Sequence, residues 1–146
     1  MKRFQFQLEP VLNFKQQGLD ALMVELGAIQ ARLAAQEKAR DEAYRQLREY
    51  DADCAARKAE GMTVIEAMER QTCQLVLDRR AKEEHEKMLF LRREVEAKRS
   101  EVVEARKETH SLERLKEIRH DEYNTALQKA EERALDDLTA SRRAVG

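Results

Sequence analysis

The sequence contains little proline, little glycine and few aromatic residues. One proline and four glycines occur in 146 residues, and aromatic side chains make up 5% of the chain. Because proline and glycine interrupt or weaken helices, their scarcity permits long uninterrupted helices. The shortage of bulky apolar residues argues against a globular core, whereas 39% charged residues are typical of long solvated helices. We therefore predict an all-α protein, with disorder at the two ends as the competing interpretation.

The sequence also lacks the features that a membrane-spanning, secreted or nucleic-acid-binding protein requires. It contains no run of 18 apolar residues and no signal-peptide pattern, so we expect a soluble cytoplasmic protein. The net charge is −1 and is balanced in both halves, which argues against a nucleic-acid partner. Cys54 and Cys73 both fall in predicted helix and are expected to be reduced thiols.

Catalytic and cofactor motifs are missing as well. There is no glycine-rich phosphate loop, no nucleophile elbow and no Cys-x-x-Cys pair. Glu117 and His120 have the spacing of two metal ligands on one helix face, but a di-iron bundle needs that pair twice and two further glutamates. We therefore expect no enzyme activity, no cofactor and no metal site.

The first half of the chain carries a coiled-coil pattern. From Leu12 onward, residues recur at alternating spacings of three and four, which is typical of a buried helix seam. The seam is polar only at Gln36 and Arg40. It predicts a helix over about residues 10–60, and its members are Leu19, Leu22, Leu26, Ile29, Leu33, Gln36, Arg40, Ala43, Leu47, Tyr50 and Cys54.

A helix break at Gly61 separates this helix from a second one. Glycine can end a helix in the left-handed conformation, and Thr63 with Glu66 has the spacing of a capping box. We predict a turn at about residues 61–63 and a second helix over about 64–143. Its predicted seam consists of Ile65, Met68, Thr72, Leu75, Met88, Leu91, Val95 and Val102.

Folding the two helices about the turn gives a single antiparallel coiled-coil hairpin over residues 1–146, with a protruding C-terminal helix. The seams then meet, and Leu47 faces Leu75 while Cys54 faces Met68. The polar residues Gln36–Arg40 fall opposite the polar stretch Lys82–His85. Agreement between two independent patterns favours this hairpin over other arrangements.

The first helix is too short to cover all of the second. It reaches only to about Thr109, and about 30 residues, some 45 Å of helix, extend beyond it. A long apolar stripe there needs a covering surface, or it causes aggregation. We therefore predict that another molecule covers it, and its residues are Leu112, Leu115, Tyr123, Leu127, Ala130, Ala134 and Leu138.

The N-terminal aromatic residues Phe4, Phe6 and Phe14 lie off the seam, in an extended or strand-like start followed by the helix. In one interpretation Phe4 and Phe6 fold back onto the second helix near Leu115 and Ile118. In the other, they anchor a partner protein, since aromatic side chains bury large areas at interfaces. Both can hold, and the anchor would include the neighbouring apolar residues Leu8, Val11 and Leu12.

The stretch Phe4-Gln-Phe-Gln-Leu-Glu-Pro-Val-Leu-Asn-Phe resembles the N-terminal signature of the FliJ family, small coiled-coil proteins of the flagellar export apparatus. The run Leu112-Glu-Arg-Leu-Lys-Glu-Ile, followed by Tyr123 and by Glu131-Glu-Arg-Ala-Leu-Asp-Asp, is similar to the family's C-terminal pattern. Related proteins of injectisome-type secretion systems share the Leu-Glu-Pro-Val-Leu start, so both systems stay open.

The resemblance implies the stalk of a hexameric, rotary-type export ATPase, located in the cytoplasm and peripherally at the inner membrane. The paired hairpin ends would enter the ring, another face would contact the membrane export gate, and some relatives escort export chaperones. Carried over by position, the ring-facing residues would be Phe4, Phe6, Leu8, Leu12, Leu112, Leu115, Tyr123, Leu127, Asp136 and Leu138. Phe14 and Ile118 complete the expected partner-binding set.

Two functions from other classes compete with the stalk. In a structural or dimerising coiled coil, two hairpins would bury each other's overhangs. In a chaperone-like binder, the segment from Phe4 to Phe14 would capture export substrates. The stalk hypothesis expects a monomer when the chain is free, whereas the dimerising hypothesis does not.

Overall fold

The computed structural model describes residues 2–146, and most of them lie in two long helices. Helix α1 covers Glu9–Glu60 and helix α2 covers Val64–Val145. Among the described residues there is no strand, and the segment before α1 is irregular. The predicted all-α fold, with two long helices packed against each other, is confirmed.

The turn between the helices forms around Gly61. This residue has φ 99°, a left-handed value that glycine adopts without a steric penalty, and its N–H donates to the carbonyl of Lys58 at 3.2 Å. The Thr63 hydroxyl then accepts a hydrogen bond from the Glu66 N–H at 3.2 Å, which caps the start of α2. Local sequence signals therefore end one helix and begin the next.

The described chain divides into two compact units. The terminal unit consists of residues up to Ala21 together with Val102–Gly146, and the central unit consists of Leu22–Glu101. Each unit contains a stretch of both helices. In the central unit, Lys98 bonds to Glu25 and Gln74 bonds to Asp51, so the two stretches run antiparallel.

In the central unit the α1 seam is the one that its spacing predicted. Every seam position there, from Leu22 to Cys54, is buried or half-buried. On α2, Ala81 and Met88 have no exposed surface, and Leu91 and Val95 are buried. Apolar burial of this kind is the main favourable contribution to the pairing of the helices.

The predicted α2 seam is wrong next to the turn. Ile65 and Thr72 are exposed, and Met68 and Leu75 keep 63% and 61% of their surface open to solvent. The predicted pairs Cys54–Met68 and Leu47–Leu75 are therefore wrong too.

Polar contacts across the helices explain this difference. Arg70 donates to Asp53 at 2.9 Å, and Gln74 donates to Asp51 at 2.9 Å. Arg70 also donates to the Cys54 Sγ at 3.5 Å. These bonds place polar residues of α2 against α1, and Ile65, Met68 and Leu75 then face solvent.

Candidate protein-docking site

The N-terminal segment is fixed to α2 by aromatic contacts within the terminal unit. The ring of Phe4 meets the ring of His120 edge-on, with 4.9 Å between the centroids, and lies tilted 5.6 Å from the ring of Tyr123. The Tyr123 hydroxyl donates a 2.6 Å hydrogen bond to the carbonyl of Lys2. This arrangement corresponds to the folded-back interpretation, with Phe4 seated on His120 and Tyr123.

Polar contacts at the start of α1 support the same arrangement. Lys116 Nζ lies 3.0 Å and 2.9 Å from the two carboxylate oxygens of Glu9, and Lys15 pairs with Glu108 at 2.7 Å. Such exposed pairs contribute about 0.2–1 kcal/mol each. Burial of Leu12, which is 3% exposed, therefore contributes more to holding this end of α1 against α2 than the ion pairs do.

A groove of about 530 Å³ lies beside the fixed N-terminal segment. Its walls combine apolar side chains from both chain segments with the charged residues Arg119 and Glu122. An apolar groove with a few polar groups at its edge is typical of a binding surface. Its apolar lining consists of Phe4, Phe6, Leu8, Leu115 and Tyr123.

Beyond this groove the end of α2 is bare. We call residues 128–146 the C-terminal tip, and every one of them is exposed. Leu135 and Leu138 keep 64% and 59% of their surface open. Nothing within the described terminal unit covers this apolar surface, as the sequence predicted for a partner-binding helix. The predicted overhang was too long, however, because Leu112, Leu115, Tyr123 and Leu127 are half-buried and the N-terminal segment reaches as far as Tyr123.

The structure brings together some of the predicted site residues and separates others. Leu12 is buried inside the terminal unit, Phe14 and Ile118 are exposed, and Leu112 and Leu127 are half-buried. Asp136 and Leu138 belong to the C-terminal tip. The residues that line one groove are Phe4, Phe6, Leu8, Leu115 and Tyr123.

His120 was missed as a packing residue by the sequence analysis. Its spacing from Glu117 resembles that of two metal ligands, but its ring packs against Phe4. Its Nδ1 lies 3.2 Å from the Asn124 side-chain amide. The signal that could have found it is the helical spacing of Lys116, His120 and Tyr123, which places them along one side of α2. All three contact the N-terminal segment or the start of α1.

The described residues contain neither a cluster of histidine, cysteine, aspartate and glutamate arranged to hold a metal ion nor a helix that could cross a membrane.

Comparison with protein families matches residues 4–145 to the family described as flagellar FliJ protein. No curated protein and no solved structure matches the chain. The family match includes the N-terminal segment, both helices and nearly all of the C-terminal tip. The chain therefore belongs to the FliJ family, non-catalytic proteins associated with flagellar export.

Proposed function

We propose that this protein is the central stalk of the hexameric flagellar export ATPase, that it regulates ATP turnover by the ring, and that it links the ring to the membrane export gate. In this proposal the terminal unit enters the ring. The location is the cytoplasm, peripheral to the inner membrane.

The bare C-terminal tip is the observation that carries the proposal. A single helix in water is only marginally stable, because most helical stability in proteins comes from packing of an apolar face. The tip exposes Leu135 and Leu138 on a helix that continues to Val145. A socket in another molecule would supply the missing packing surface.

The fixed N-terminal segment supports the same proposal. Phe4, Phe6 and Leu8 lie beside α2 at the groove, so the docking surface would be built from both ends of the chain. A surface made of one irregular segment and one helix has no sixfold symmetry. It can contact only some subunits of a sixfold ring well at one time, and such differential contact would shift the equilibrium between open and closed subunits.

A second exposed apolar face supports the proposed link to the export gate. In the central unit, Val64, Ile65, Met68, Leu75 and Val76 are all exposed along the first turns of α2. These residues are not used by the helix pairing. We assign the gate contact to this face, and the ring contact to the terminal unit.

Truncation after Leu127 tests the ring assignment. This variant lacks the C-terminal tip but keeps every described contact of Phe4, Tyr123 and Lys116. We expect it to lose stimulation of the cognate export ATPase, while circular dichroism shows only the helicity of the removed residues to be missing. Equal stimulation by the truncated and full-length proteins would contradict the proposal.

A matched pair of point variants separates the two faces. Leu138→Ser and Leu75→Ser remove leucines that are 59% and 61% exposed, so neither variant should change the stability of the free protein. We expect Leu138→Ser to reduce ATPase stimulation and Leu75→Ser to leave it unchanged. Leu75→Ser should instead weaken binding to the purified cytoplasmic part of the export gate.

The exposed tip would also suit a dimerising coiled coil, in which two chains bury each other's tips. Sedimentation at several concentrations distinguishes the two functions. The stalk predicts a species of 17.1 kDa at all concentrations, whereas a tight dimer would favour the structural role. Capture of export substrates without any change in ATP turnover would favour the chaperone role. Stimulation of an injectisome ATPase, rather than of the flagellar one, would assign the protein to that secretion system.

A further inference from the structure

Gln36, one of the two polar residues in the α1 seam of the central unit, bonds directly to α2. Gln36 donates to the carbonyl of Glu84 at 3.0 Å and to its side-chain Oε2 at 2.5 Å. A polar pair of this kind fixes the register of two helices at some cost in stability. The Gln36–Glu84 pair thus accounts for the first polar seam position, but not for the second one, Arg40.

Arg40 makes no comparable bond to α2. Its Nε and Nη2 atoms both bond to the neighbouring Asp41, at 3.1 Å and 2.8 Å, and its side chain is only 24% exposed. The guanidinium carries five N–H donors, and the two bonds to Asp41 use only one edge of the group. A cation is therefore held partly inside the seam with hydrogen-bonding capacity left over.

The residues around Arg40 form an open groove of about 330 Å³. Tyr44 and His85 are half-buried and face each other edge-on, with 6.5 Å between their ring centroids. Arg48, one helical turn after Tyr44, is exposed, and its side chain makes no hydrogen bond or ion pair within residues 2–146. Two guanidinium groups thus line one groove, with Asp41 as its single acidic member.

We propose that this groove binds a phosphate group. The planar donor forks of Arg40 and Arg48 match the geometry of phosphate oxygens, and such charge-assisted bonds are about twice as strong as neutral ones. Tyr44 and His85, whose side chains carry further polar groups, also line the groove. Its two arginines and one aspartate give it a positive balance, which favours an anion.

Two sources could supply this chemistry: a free phosphate compound and the headgroup of an anionic lipid. Both present phosphate oxygens to the same donors. The site lies within the central unit and does not involve the C-terminal tip, so it stands independently of the proposed stalk function.

The test uses the full-length protein and has two arms. In the first, NMR follows the signals of the His85 ring while inorganic phosphate replaces chloride at constant ionic strength. In the second, flotation of the protein is compared on phosphatidylcholine vesicles with and without phosphatidylglycerol. The variant Arg48→Gln removes a cation of the groove, and Arg93→Gln is the matched control, since Arg93 is also exposed in the central unit and lies outside the groove.

We expect a saturable shift of the His85 signals with phosphate in the wild type and in Arg93→Gln, and an apparent affinity about tenfold weaker in Arg48→Gln. Saturable binding of phosphate without flotation on phosphatidylglycerol vesicles identifies a free compound as the source. Flotation that requires phosphatidylglycerol and Arg48, with or without a response to phosphate, identifies a lipid headgroup. No saturable response in either arm, or equal losses in the two variants, would overturn the proposal.

Discussion

Two stretches of α2 carry apolar residues at the same helical spacing and differ in what covers them. Met88, Leu91 and Val95 are buried against α1, whereas Leu135 and Leu138 are exposed in the C-terminal tip. The spacing shows which side of the helix is apolar in both cases. It does not show whether the covering surface belongs to the same chain or to another one.

Met88→Ala gives the largest expected contrast between these stretches. The side chain of Met88 has no exposed surface, so its truncation should lower the free energy of unfolding by about 2–5 kcal/mol. Leu138→Ala should change it by less than about 0.5 kcal/mol, because the residue is exposed. Urea unfolding followed by circular dichroism measures both, and similar losses would show that the tip is covered in the free protein.

The glycines give the next largest contrast. Gly61 has φ 99°, so Gly61→Ala should destabilise the protein by about 1–2 kcal/mol. Gly27 lies within α1, and a methyl group added there would meet no atom within 4 Å. Gly27→Ala should therefore stabilise the central unit by about 0.5–1 kcal/mol. Thermal unfolding of the two variants should show shifts of opposite sign, and a loss in both would show that Gly27 is closely packed.

Tyr123→Phe probes how firmly the N-terminal segment is held. It removes the hydroxyl that donates to the Lys2 carbonyl but keeps the ring against Phe4. Loss of this bond should weaken the attachment of the segment by about 1 kcal/mol, which corresponds to an about fivefold larger equilibrium constant for local opening. Amide hydrogen exchange of Glu9, whose N–H donates to the carbonyl of Phe6 at 3.0 Å, measures this opening. Tyr44→Phe, in the central unit, is the control that should leave this amide unchanged.

The smallest expected effect on stability is that of acid on the Gln36–Glu84 pair in the central unit. The hydrogen bond from Gln36 lowers the pKa of Glu84, and the neighbouring Lys87 acts in the same direction. A carboxylate with a lowered pKa contributes stability above its ordinary pKa and loses it as the pH falls through the lowered value. Between neutral and acidic pH, the wild type should lose a few tenths of a kcal/mol, about 0.3, that Glu84→Gln does not lose. Urea unfolding midpoints of the wild type and of Glu84→Gln at several pH values measure this difference. An equal loss of stability in the two proteins would show that the pair contributes nothing.

The sequence predicted the parts of the fold that depend on local signals. The α1 seam follows from its unbroken spacing, and the turn follows from Gly61 and Thr63. The seam of α2 near the turn could not be predicted in the same way. Its outcome depends on Arg70 and Gln74 finding Asp53 and Asp51 across the pair, and those contacts appear only when both helices are placed.

The sequence likewise indicated only part of the candidate site. The apolar character of Phe4, Tyr123 and Leu138 is visible in the sequence, and the structure shows where each of them lies. The role of His120 was not visible, because its contact with Phe4 joins residues far apart in the chain.

Amide hydrogen exchange of the C-terminal tip tests the central claim most directly. The measurement compares the free protein with its complex with the cognate export ATPase, in the presence of nucleotide. We predict fast exchange across residues 128–145 in the free protein and much slower exchange in the complex, with residues 88–102 slow in both states. Equally fast exchange of the tip in a complex whose formation is verified by co-sedimentation would contradict the account.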